Sequence, residues 1–237
     1  LTKIPDGDYT DEQLASLLTI SDVMGTGYHA AVSARVKEGD TVAVVGDGAV
    51  GLCGVISAKM LGAKRIVIMS RYKDRQKLAI EFGATDIVAE RSEEGVRKAR
   101  ELTEEGVGFD AVLECVGSNM SMLTAIQLAR PGATVGTVGV PHDVNIPFTQ
   151  VFFGSVGIHG GPAPTRAYAD ILLEAVLSGE INPGRVFTYS TDLDNIAEAY
   201  NKMDRREAIK SLVRVSERQK KHAQQAKRRH DARAGSR

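Results

Sequence analysis

The feature that most constrains this 237-residue chain is the segment VVGDGAVGL, which sets Gly46, Gly48 and Gly51 in the spacing GxGxxG. It follows an apolar, β-branched run and opens a helical pattern. Each glycine has a physical reason to be there: Gly46 permits a tight strand-to-helix turn, Gly48 lets backbone approach a ligand, and Gly51 lets the helix pack close to the strand. The backbone N–H groups around Ala49 and Val50 then face outward at the positive end of the helix dipole, an arrangement suited to a pyrophosphate. A lone turn of this kind is a weak signal. At the first strand–helix junction of a repeated βαβ pattern it specifies a dinucleotide site.

That repeat is present from Thr41 onward. Strands are expected at 41–46, 65–70, 86–90, 109–114, 133–139 and 155–160, mostly continuous apolar runs of the kind covered by helices on both faces. Between them GLCGVISAKMLG, DRQKLAIEFG, EEGVRKARELTEEG and NMSMLTAIQLARPG read as crossover helices, stopped at Gly62, Gly83, Gly106 and Pro131-Gly132. Right-handed crossovers wind such strands in the order 3-2-1-4-5-6, an α/β fold with a doubly wound parallel sheet of Rossmann type. A helix is expected before this unit, from after Asp22 to near Val36. After it come a helix at 165–178, a Pro-Gly break at 183–184, a short strand at VFTYS, a helix at 194–203 and a strand at IKSLVRV. These later pieces do not extend the nucleotide fold and read as the returning portion of a second domain.

Which dinucleotide is bound is decided at the end of the second strand, about 20 residues past the turn. An acidic residue there would accept hydrogen bonds from the ribose of NAD; this strand ends in Ser70 and Arg71. A hydroxyl and a guanidinium suit the 2′-phosphate of NADP, and one charge-assisted bond contributes about 1.5–3 kcal/mol, enough to set preference. The bland alternative is that Arg71 begins a solvated helix beside Lys73 and Arg75.

Composition excludes several classes. No run approaches the roughly 18 apolar residues needed to span a bilayer, and residues 1–11 lack the pattern of a signal peptide, so a soluble cytoplasmic protein with no membrane partner is expected. The two cysteines, Cys53 and Cys115, lie far apart in apolar stretches and read as buried reduced thiols. The zero net charge conceals a basic end: residues 217–237 hold eight Lys or Arg against two acids, leaving 22 basic and 28 acidic residues elsewhere. This tail has almost no apolar face and reads as a solvated, disordered extension; contact with nucleic acid is the alternative and is not expected.

Taken together, TGYHAA, KEGDTVAVVGDGAVGL, EFGATDIV and FDAVLECVG resemble the medium-chain dehydrogenases, and the first resembles the zinc-dependent alcohol dehydrogenase branch. The similarity runs from about Ile4 to Val215. It implies a cofactor-binding half over 24–158, a remnant of the GroES-like catalytic domain and linker at 1–23, a returning segment of that domain at 159–215, and an uncovered tail at 216–237. It also implies site residues. Thr26 falls beside the nicotinamide. Val116 and Gly117, with Val138, Gly139 and Val140, fall on strand ends lining the adenine-ribose and nicotinamide sites. Ile158 and His159 match the pair where the chain leaves the nucleotide domain, and Lys210 matches a late basic residue near the cofactor phosphates.

Asp22, read alone, is a helix N-cap. The resemblance makes it a zinc ligand, since the position four before the nicotinamide threonine ligates metal in that branch. His29, about 10.5 Å further along a helix, cannot join it on one ion and reads as a packing or hydrogen-bonding residue. The other zinc ligands belong to a catalytic domain that the resemblance places before Leu1. The expected parent chemistry is therefore NADP-dependent hydride transfer with an alcohol, aldehyde or ketone, and the chain alone is expected to be inactive or nearly so. A non-catalytic nucleotide-binding module and a zinc-independent NADPH quinone reductase are the alternatives. A short-chain dehydrogenase fits worse, because no Tyr is followed four residues later by Lys. The stretch FFGSVGIHGG resembles the edge strand through which family members pair, implying a homodimer or homotetramer.

Overall fold

The structure, a computed structural model, describes residues 2–215. The expected basic tail therefore lies outside the described residues. The chain divides into two compact units, the first ending at Val186. At the centre of this first unit is a parallel sheet of β1 (Thr41–Val45), β2 (Arg65–Met69), β3 (Asp86–Val88), β4 (Phe109–Glu114), β5 (Ala129–Thr137) and β6 (Gly157–Gly160), in the order β3-β2-β1-β4-β5-β6. This is the doubly wound topology expected from the sequence. Val42 of β1 stands opposite Ile66 on one side and Ala111 on the other, so the middle of the central strand is flanked by apolar neighbours.

The crossovers are α3 (Ala49–Met60), α4 (Lys73–Phe82), α5 (Ser92–Arg100) and α6 (Asn119–Leu128). α3 is buried continuously from Gly51 to Ala58, which explains its lack of a polar face: the sheet covers one side and α2 (Val23–Ser33) another. A Cβ on Gly27 of α2 would sit 2.7 Å from the backbone of Cys53 and Gly54, so the two helices cross at backbone contact. α8 (Thr165–Leu177) continues the layer, its Tyr168 ring meeting Tyr28 edge-on at 5.1 Å. α8 thus packs on α2 and falls within the first unit.

Four local expectations are corrected. α5 stops at Arg100, and Gly106 instead closes a separate 3-10 turn at Glu104–Gly106. α6 ends at Leu128 and β5 starts at once, so Pro131-Gly132 lies within an exposed irregularity of that strand rather than ending a helix. The slip in register between Phe109 and Ala111 accommodates it, and Arg130 Nε donates to Asp110 Oδ1 at 2.8 Å beside it. In FFGSVGIHGG only Gly157–Gly160 is strand; Phe152, Phe153 and Gly154 end α7 (Phe148–Gly154), and Ser155 turns the chain at φ 50°. Finally, α1 (Asp11–Ile20) was not foreseen, although Thr10 and Gln13 form a capping box at its start.

The second unit, as described, pairs β7 (Phe187–Asp192) with β8 (Lys210–Arg214) in parallel and packs α9 (Ile196–Asp204) on both. No helix among the described residues is long and apolar enough to cross a membrane. Core packing sets the stability of the first unit: Leu113 of β4 is fully buried, lying against Gly54 of α3. Leu113→Ala should cost about 2–5 kcal/mol, read as a lower urea midpoint with an unchanged slope.

Candidate functional site

The strands β1, β2, β4 and β5 all end along one edge of the sheet, and most of the expected site residues of the first unit collect there. β1 ends at Val45, Gly46 turns the chain at φ 115°, and Gly48 caps α3 with extended backbone and no side-chain hydrogen bond. The first-turn N–H groups of α3 have no partner within the helix, as at any helix start. A Cβ on Gly51 would lie 1.9 Å from the carbonyl oxygen of Gly46, so only glycine lets the helix begin this close to the strand. A Cβ on Gly48, by contrast, would meet nothing within 4 Å. Gly48, Ala49 and Val50 are only partly covered by protein, leaving this positive helix end open to an anion.

The neighbouring strand ends are held by one carboxylate. Glu114, fully buried at the end of β4, accepts through Oε1 from the N–H groups of Val116 (2.9 Å) and Gly117 (2.8 Å) and through Oε2 from the Thr137 hydroxyl (2.9 Å). Its carbonyl accepts from the N–H of Val138 at 3.0 Å. Gly117 and Gly139 then cross so closely that a Cβ on Gly139 would stand 2.1 Å from the nitrogen of Gly117. This leaves Val116 and Val140 at the cleft rim, 47% and 69% exposed, two apolar side chains beside an open edge. Burial and the adjacent Glu114 push the Cys115 thiol up, so it stays protonated; Cys53 and Cys115 are both free of disulfide, as expected.

At the end of β2 the arrangement is richer than the sequence reading. Arg71 is exposed, with its guanidinium 5.7 Å from the centre of the Tyr72 ring. Ser70 is buried and donates its hydroxyl hydrogen to Asp47 Oδ2 at 2.8 Å, so it is not the free donor expected for a phosphate. Arg75 is buried too; it pairs with Asp47 Oδ1 at 3.2 Å and stacks over Tyr72 at 5.2 Å. Arg75 enters the sequence reading only as a neighbour of Arg71 on the solvated helix of the bland alternative. It stands on the buried stripe of α4 with Leu78, Ala79 and Phe82, a spacing visible in the sequence, and the acid inside the turn was the sign of its partner.

The remaining residues divide. Thr26 on α2 donates its hydroxyl to the carbonyl of Asp22 at 2.8 Å. Asp22 precedes α2 but makes no side-chain cap. Ile158 and His159 lie in β6 opposite Val135 and Gly136. Lys210 opens β8 in the second unit, opposite Phe187. His29 Nδ1 lies 2.9 Å from the Tyr168 hydroxyl and burial lowers its pKa, which fits the hydrogen-bonding role expected of it. No group of three or more His, Cys, Asp or Glu among the described residues could hold a metal ion. A tightly bound zinc needs three protein ligands, so the donor set around Asp22 does not fit one.

A glycine turn between the central strand and α3 of a six-stranded parallel sheet defines a Rossmann-type dinucleotide-binding domain. Residues 49–176 match the family described as zinc-binding dehydrogenase. A probable zinc-binding alcohol dehydrogenase of Mycobacterium tuberculosis is 36% identical over 201 residues, 84% of this chain and 50% of that protein. An NADP-dependent isopropanol dehydrogenase of Entamoeba histolytica is 33% identical over 205 residues, 83% of this chain and 56% of that protein. Among solved structures, the alcohol dehydrogenase TADH of Thermus sp. ATN1 superposes with a TM-score of 0.82 at 31% identity, over 91% of this chain and 61% of that one. The chain thus belongs to the zinc-binding dehydrogenase family, within its zinc-type alcohol dehydrogenases, and spans about half the length of the curated relatives it matches.

The Glu114 anchor yields a graded test. Glu114→Ala leaves two amides and a hydroxyl without their acceptor and should destabilise by at least about 3 kcal/mol. Glu114→Gln keeps an acceptor for the amides and a donor for Thr137, and should lose much less. Thermal unfolding of the two variants measures the difference.

Proposed function

We propose that this chain binds NADP(H) along the C-terminal edge of its sheet and forms the cofactor-binding part of a zinc-type alcohol dehydrogenase. The observation that carries this reading is the open, uncapped start of α3 at Gly48, where backbone amides and the helix dipole converge on one point. Gly46, Gly48, Ala49, Val50 and Gly51 would hold the diphosphate. Val116, Gly117, Val138, Gly139 and Val140 would line the channel from adenine to nicotinamide, with Thr26 beside the nicotinamide and Ile158 and His159 at the exit of the domain; Lys210, in the second unit, is a candidate that the resemblance alone carries. The coenzyme supplies hydride chemistry at its nicotinamide C4, with a small alcohol, aldehyde or ketone as the partner. Preference for the 2′-phosphate rests on Arg71, which is exposed at the end of β2, and agrees with the NADP dependence in the name of the Entamoeba relative.

Zinc belongs to the intact members of this family, where such an ion polarises a substrate oxygen. Asp22 is the candidate ligand that the resemblance carries over, and the isolated chain is read as turning over alcohols very slowly or not at all. Acting as a nucleotide-binding module is the second reading, favoured by the lack of a three-ligand donor set among the described residues. A cytoplasmic setting accords with two cysteines that form no disulfide.

Pairing with a second copy through β6 is supported by its place at the sheet edge and by Phe148, Phe152 and Phe153 beside it, 72%, 65% and 80% exposed. A homodimer is the simplest assembly of this kind, and a tetramer would add further contacts. Light scattering at micromolar concentration should give at least twice the chain mass, and Phe153→Asp should shift it toward monomer; a monomeric parent contradicts the pairing.

Coenzyme choice has its own test. Titration of the chain with NADPH and NADH should show tighter NADPH binding, and Arg71→Asp should reduce that preference by about ten- to a hundredfold. Equal affinities in the parent would remove the NADP assignment while leaving dinucleotide binding intact.

A further inference from the structure

Asp47 occupies the middle of the glycine turn, yet its carboxylate reaches across to the end of β2. One oxygen takes the Ser70 hydroxyl at 2.8 Å, the other takes Arg75 Nη1 at 3.2 Å, and the same guanidinium nitrogen lies 3.3 Å from the Asp47 carbonyl oxygen. The side chains of Arg75 and Asp47 are only 8% and 9% exposed, so water screens this pair weakly. Tyr72 closes the far side, carrying Arg75 on its ring with Arg71 also against it. A carboxylate delivered by the turn thus stands where an acid at the end of β2 would otherwise act, and it holds the Ser70 proton away from any ligand.

We propose that Asp47 and Arg75 together set the coenzyme preference at the 2′ position, Asp47 opposing a 2′-phosphate and Arg75 cancelling that opposition. This rests on the reading of the turn as a coenzyme site. Ser70, buried and with its proton committed to Asp47, has no donor to offer a 2′-phosphate. Arg71 is left as the phosphate donor. Neutralising Asp47 alone unmasks the positive charge of Arg75. Neutralising Arg75 alone unmasks the negative charge of Asp47.

The consequence is a pair of opposite shifts that a merely structural ion pair would not produce, because breaking such a pair from either side does the same damage. Dissociation constants for NADPH and NADH, measured by coenzyme fluorescence on the full chain, should give a preference for NADPH that rises about tenfold in Asp47→Asn and falls about tenfold in Arg75→Gln. The double variant should return to within about threefold of the parent, since its net charge at the pair is again zero. Should circular dichroism show either single variant unfolded, Asp47→Ser or Arg75→Met takes its place with the same sign, the second keeping its apolar contact with Tyr72. Shifts in the same direction, or a constant ratio in every variant with both coenzymes still bound, overturn the inference and leave the coenzyme site standing. Failure of the folded parent to bind either coenzyme overturns the site itself and this inference with it.

Discussion

Everything at the working edge of this molecule depends on a helix whose first amides have no partner within the helix. α3 starts at Gly48 without a side-chain cap, immediately after a buried strand, and Gly51 lets it begin within van der Waals reach of the Gly46 carbonyl. An end of this kind carries roughly half a unit of positive charge and several free donors, a standing preference for an anion. The sheet supplies the rigidity that makes the preference useful. β1 is central and covered on both faces, so the donors are fixed before any ligand arrives.

Two buried carboxylates then shape the edge around that helix end. Glu114 gathers the chain beyond β4 and touches β5 through Thr137, which keeps Gly117 and Gly139 in their close crossing. Asp47 ties the turn to β2 and α4 through Ser70 and Arg75. Neither acid is left bare: the first accepts backbone amides and a hydroxyl, the second a hydroxyl and a guanidinium. Charges this deep are tolerated only with such partners, and removing one partner alone is costly. The loops of the site are therefore braced from beneath by polar contacts rather than by apolar packing.

The sheet order was legible because a parallel sheet covered on both faces leaves a plain mark, short apolar runs spaced by helical segments, and because right-handed crossovers permit few windings. The turn was legible because three glycines at fixed spacing have few other uses. What stayed hidden depends on contacts distant in sequence. Nothing local in RPGATVGTVG announces that β5 starts at Ala129, since the bulge answers to Phe109 and Ala111 on the next strand. The end of α7 reads as part of the edge-strand stretch FFGSVGIHGG because Phe152 and Phe153 suit either state and their exposure is a tertiary fact. Arg75 looked solvated among Lys73 and Asp74, and only the fold brings Asp47 to it across 28 positions. Asp22 shows the limit of resemblance: the position matches a ligand, but no second and third donor stand with it among the described residues.

Coenzyme binding at this edge turns on the amides at the head of α3. Amide spectra of the 15N-labelled full chain, recorded with and without NADPH, test it at the residues concerned. Signals from Gly48, Ala49, Val50 and Gly51 should move on saturation, with Val116 and Gly117 following. A well-dispersed spectrum of folded protein in which these signals stay in place, or in which NADPH moves only residues elsewhere, would contradict it.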